Sequence, residues 1–117
     1  MTTTDDLKLE IWFINMAIRK AFTDHEVTIN DITWNPRRGG LANAYFNIHS
    51  IQVTIGPWQE SIYRIETTDI KNYSAGVMRE GIDLRIQALV HKYLRYAANR
   101  MEPGRGKGRN PRLRFLA

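Results

Sequence analysis

The chain has 117 residues, 43% hydrophobic and 25% charged, which predicts one soluble domain with a modest core. It contains no cysteine, which excludes disulfides, thiolate catalysis and Cys-based zinc sites. The formal net charge of +5 lies wholly in residues 103–117, which hold five of the 17 cations and none of the 12 acids.

Thr3 and Thr4 followed by Asp5 and Asp6 read as a helix N-terminus, with hydroxyl caps and then carboxylates facing the positive end of the dipole. Leu7, Ile11, Ile14, Ile18 and Phe22 then recur at helical spacing, and Leu9, Trp12, Phe13 and Met16 cover much of the remaining circumference. A helix apolar nearly all round is expected at the centre of the fold, with Trp12 in its core, or else against a second copy or a partner. The same stretch carries acids where a secretory leader has cations, and Asn15, Arg19 and Lys20 interrupt it, so no signal peptide is expected. No run approaches the ~20 apolar residues of a membrane helix. A cytoplasmic protein without a membrane partner is the expectation.

Strand signals follow. "EVTINDITW" alternates at Val27 and Ile29 and resumes out of phase at Ile32 and Trp34, which predicts a bulge near Asn30 and Asp31. "NPRRGG" reads as a turn that holds Arg37 and Arg38 at its tip. "LANAYFNI" and "IQVTI" alternate as two further strands, with His49 and Ser50 as the hairpin turn between them. Gly56 and Pro57 break the run, and "SIYRIETT" adds a short fourth strand. His25 and His49 fall in a loop and a turn, and neither is expected to bind metal.

The last element is a helix from about Gly81 to Met101. Ile82, Ile86, Leu89, Val90, Tyr93, Leu94, Ala97 and Met101 form its apolar arc, Arg85, Lys92, Arg95, Tyr96 and Asn99 the opposite one with Arg100 at its margin, and Pro103 stops it. Cations with an aromatic among them suit a phosphate backbone and an unpaired base, although such an arc is also what a solvated helix face looks like. The predicted class is α+β: an antiparallel sheet of three or four strands packed by an N-terminal and a long C-terminal helix, in α-β-β-β-α order over residues 1–102. Ile14, Ile18, Phe46, Val53, Ile86, Val90 and Leu94 are expected to share the core with Trp12.

Residues 103–117 read as a flexible basic tail. Arg105, Lys107, Arg109, Arg112 and Arg114 stand among glycines and prolines, a composition that buries little and seeks counter-charge. "GRGKG" resembles the start of histone tails. Leu113, Phe115 and Leu116 exceed what a charge tether requires, and Leu113 and Phe115 alternate with arginines as in an extended segment docking on a sheet edge.

"WNPRRGGLANAYF" followed by "LVHKYLRYA" resembles the SprT-like zinc peptidase domain between Trp34 and Ala97. That resemblance sets His91 at the family's first histidine, but Lys92 stands where the general base belongs and Arg95 where the second histidine belongs. It implies an inactive relative, because two cations repel a metal and no base remains to activate water. The α-β-β-β-α order also resembles that of double-stranded-RNA-binding domains.

The expected function is that of a small non-enzymatic nucleic-acid-binding accessory protein, without cofactor or metal. It would use Arg37, Arg38, Arg85, Lys92, Arg95, Tyr96, Arg100 and the five tail cations on DNA or RNA. The alternative is a protein-interaction module that meets an acidic protein surface, as a small viral inhibitor does. A third reading is an assembly subunit docking through Leu113, Phe115 and Leu116 or self-associating through its first helix.

Overall fold

The computed structural model describes residues 7–38 and 46–101, excepting the side chains of residues 37, 38, 46, 47 and 101. In chain order the elements are α1 (Lys8–Thr23), β1 (Asp31–Arg38), β2 (Phe46–Ile55), β3 (Trp58–Glu66), α2 (Thr67–Ser74) and α3 (Glu80–Met101). The strands form one antiparallel sheet in the order β1-β2-β3. The class is α+β, with a helix, a three-stranded sheet and then two helices.

Leu7, Ile14, Ile18, Ala21 and Phe22 give α1 one buried face, which packs against α2 and α3. The helix ends as Glu26 turns left-handed at φ 61 and the Val27 N–H donates to the Phe22 carbonyl at 3.0 Å. The expectation of a helix buried nearly all round is corrected here. Leu9 (65%), Trp12 (54%), Phe13 (37%) and Met16 (48%) remain exposed. Helices cover one side of α1, and no described element covers the other. The expected caps at Thr3 and Thr4 lie outside the described residues.

The segment from Val27 to Ile29 is not strand. It bends at Asn30, whose N–H donates to the Thr54 carbonyl at 2.9 Å and whose Oδ1 accepts from the Gly56 N–H at 2.6 Å. That bend, rather than a bulge, shifts the phase between Ile29 and Ile32. β1 then runs on through Pro36 to Arg38, so Arg37 and Arg38 belong to a strand and not to a turn tip. The misreading came from Asn35–Pro36, but β1 is an edge strand, where proline's missing N–H need not break a ladder.

β2 is one strand where two were expected. His49 and Ser50 are buried at its middle, and His49 pairs with Pro36 on one side and Ile65 on the other. An imidazole reads as a turn residue, yet here its Nε2 lies 3.1 Å from Thr67 Oγ1, so the fold supplies a partner. The residues read as a fourth strand belong to β3, the third and last strand among those described. Gly56 and Pro57 form the two-residue hairpin loop, with Gly56 at φ 57, a sign that favours glycine. Ile62 and Ile65 both reach the core although three residues apart, because a bulge near Arg64, at φ 59, inserts one extra residue.

α2 was not expected. The Glu66 N–H donates to the Asp69 carboxylate at 3.3 Å at its start, and Ile70 and Tyr73 are its buried residues. Tyr73 joins it to α3: its hydroxyl donates to Asp83 Oδ1 at 2.6 Å, while Arg79 Nε donates to the Tyr73 carbonyl at 2.7 Å. Burial, then the bond to Asp83, pushes the Tyr73 pKa up to about 12. On α3, Ile82, Ile86, Leu89 and Val90 are buried on the expected arc, with Tyr93 and Leu94 half-buried beside them. Of the expected core, Ile14, Ile18 and Val53 are buried, Trp12 is not, and the Phe46 side chain lies outside the described residues.

Candidate nucleic-acid interface

Between Leu84 and Met101, α3 carries Arg85, Lys92, Arg95 and Arg100 and not one acid. Burial of Ile82, Ile86, Leu89 and Val90 fixes the rotation of the helix. That rotation turns Lys92 and Arg95 out to solvent and leaves Arg85 half-buried, whereas Arg100 stands in line with Ile82 and is exposed because the helix there has run past the core. From Arg85 to Arg100 the helix rises about 22 Å, so these cations are spread along it and not gathered at a point, with Arg95 and Arg100 on different sides.

Local contacts differ along the helix. Lys92 Nζ donates to Glu60 Oε2 at 3.2 Å in a surface pair, so this cation already has an acidic neighbour. The Arg100 guanidinium carbon lies 5.6 Å from the Tyr96 ring centroid. Tyr96 itself is half-buried, with its ring centroid 6.4 Å from Trp58 and 6.0 Å from Tyr93. It closes an aromatic cluster that reaches Phe22 through Tyr93. Trp58, Tyr93 and Arg100 thus all crowd the ring expected to stack on a base, and its first duty is packing. Arg95 and Arg100, free of any ion pair among the described residues, are the most available cations of α3.

The other expected site residues are not gathered here. Arg37 and Arg38 lie on β1, and β2 separates that strand from β3, on which α3 packs. Arg105, Lys107, Arg109, Arg112, Leu113, Arg114, Phe115 and Leu116 lie outside the described residues.

A groove of about 270 Å³ runs between β3 and α3, lined by Ser61, Ile62, Tyr63, Arg85, Ala88, Leu89 and Lys92. The hairpin closes on the Ile55–Trp58 pair, so ladder alternation turns the N–H and C=O of Gln59 and Ser61 outward along this edge. Sequence reasoning missed the groove, because only the strand order reveals β3 as an edge. It also missed the polar chain through the core margin, in which Trp34 Nε1 donates to Asn15 Oδ1 at 2.7 Å beside His49 and Thr67.

His91 and Arg95, the positions matching the SprT-like metal ligands, are exposed on α3. Among the described residues no three His, Asp or Glu side chains converge on a metal-sized site. No helix among them is long and apolar enough to cross a membrane. Compared with protein-family models, curated proteins and solved structures, the chain matches none.

Proposed function

We propose that the chain is a small non-enzymatic nucleic-acid-binding accessory protein that carries phosphates on α3 and on its basic tail. The observation that supports this most is the acid-free stretch of α3, which keeps Arg95 and Arg100 exposed and unpaired among the described residues. Cations spread along a helix suit a polymer of phosphates better than a compact anion, and each neutralised phosphate releases condensed counterions. In sequence the tail follows the helix, and past Glu102 it adds Arg105, Lys107 and Arg109. Arginine at the C-terminal end of a helix also offsets the dipole, a structural duty that requires no ligand. Binding separates the two roles. Anisotropy titrations of labelled single-stranded and duplex oligonucleotides should show Arg95→Gln/Arg100→Gln weakening both by roughly tenfold, without sequence preference. Unchanged affinity in a folded double variant would remove α3 from the interface.

The groove beside β3 favours a second reading, a protein-interaction module. Its apolar floor at Ile62 and Leu89, the outward edge of β3, and Arg85 and Lys92 at the rim suit an extended acidic segment added to the sheet. Stoichiometric capture of such a peptide, blocked by Ser61→Pro, would favour this reading over the first.

A further inference from the structure

Ile51, Val53, Ile55 and Ile62 turn one face of the sheet into the core shared with the helices. Alternation therefore puts Gln52, Thr54, Gln59, Ser61 and Tyr63 on the opposite face, where Gln59 and Tyr63 are exposed and the others half-buried. In the ladder Ser61 stands opposite Gln52, and Gln59 opposite Thr54. The short Ser61 side chain sits among larger neighbours in a hollow of about 250 Å³, lined by Gln52, Gln59, Glu60, Ser61 and Tyr63. Tyr63 is 59% exposed and, unlike Tyr96, lies outside the aromatic cluster on Trp58.

Ser61 and Tyr63 also line the groove between β3 and α3, so the two depressions meet along the β3 edge. Their chemistry differs. The groove holds Arg85, half-buried and without an acidic partner among the described residues, and Lys92, which Glu60 engages at 3.2 Å. The hollow holds two primary amides, a hydroxyl and an open aromatic ring, and no cation lines it.

We propose that groove and hollow together form a nucleotide site for single-stranded nucleic acid. Arg85 takes a phosphate in the groove. The base carried by that nucleotide turns over the β3 edge onto the Tyr63 ring, with its hydrogen-bonding edge at the Gln52 and Gln59 amides. The inference rests on the phosphate-binding reading of α3 and adds the base to it. A guanidinium offers a fork of donors to phosphate oxygens, whereas a hollow without a cation has nothing to hold a phosphate. Each primary amide presents both a donor and an acceptor, so it can meet the edge of any base. Stacking on an exposed ring is equally tolerant of sequence. A duplex keeps its bases stacked inside and cannot supply one to the sheet, so the site selects an unpaired strand. Tyr63 thereby takes the stacking role for which Tyr96, packed against Trp58 and Tyr93, is not free.

The test compares two labelled single strands of about 12 nucleotides, one of thymidines and one abasic throughout, by anisotropy with the full chain. Both carry the same phosphates, and only one carries bases. The thymidine strand should bind roughly tenfold more tightly. Tyr63→Ala should abolish that difference while leaving the abasic strand unaffected, and Tyr63→Phe, which keeps the ring, should preserve it. Ser61→Leu, which fills the hollow, should act like Tyr63→Ala. Arg85→Gln should weaken both strands alike. Circular dichroism checks that each variant is folded. Equal affinity of the native chain for the two strands, or a preference that survives both Tyr63→Ala and Ser61→Leu, would overturn the base site and leave phosphate binding standing. Binding of neither strand would overturn the phosphate reading and this site with it.

Discussion

His49 stands on β2 with its ring edge-on to Trp34 at 6.4 Å, Nε2 beside Thr67 and no partner for Nδ1 among the described residues. Burial lowers its pKa from the ordinary 6.5, because a charged imidazole loses hydration there. The unfolded chain therefore binds more protons between 6.5 and the lowered folded value, and stability rises with pH across that window. The contribution is present above 6.5 and is lost as pH falls through the folded value. Urea midpoints measured near pH 7.5 and pH 5.5 should differ more for the native chain than for His49→Phe. Equal differences would mean that the imidazole does not titrate with folding. Nothing local in the sequence separates His49 from a turn residue, since its burial depends on Trp34 and Thr67, respectively 15 and 18 residues away. Trp12 failed in the opposite direction: both faces of α1 are apolar, and only the positions of α2 and α3 decide which is buried.

Elements were legible where one periodicity ran unbroken. α3 is found over nearly its expected span, because its apolar arc repeats for six turns and Pro103 follows its end. β3 was obscured by the bulge near Arg64, which sets Ile62 and Ile65 three residues apart and hides the alternation. α2 is only eight residues long, too short for a helical pattern to stand out, although Glu66 and Asp69 carry the spacing of its cap. The docking of α3 makes a graded prediction. Ile86 is fully buried and Leu94 half-buried at the margin, so Ile86→Ala should cost about 2–5 kcal/mol and Leu94→Ala distinctly less. Equilibrium urea unfolding checks the order, and equal losses would mean that the C-terminal half of α3 packs as tightly as its centre.

For the whole molecule, the α+β class and the acid-free stretch of α3 after Asp83 could be read from the sequence, while the edge position of β3 and the bare side of α1 required the tertiary arrangement. The buried core extends from Leu7 to Val90, so the cations from Lys92 onward add charge outside that packed unit. Nucleic-acid binding on α3 makes a quantitative claim about salt, since for duplex DNA each lost phosphate contact takes about 0.9 off the slope of log affinity against log salt. The most direct test compares that slope for the full chain and for an Arg85→Gln/Arg95→Gln/Arg100→Gln variant whose urea midpoint is unchanged. A slope flatter by about two to three in the variant is the predicted result. The same slope for both would contradict a phosphate-binding role for α3.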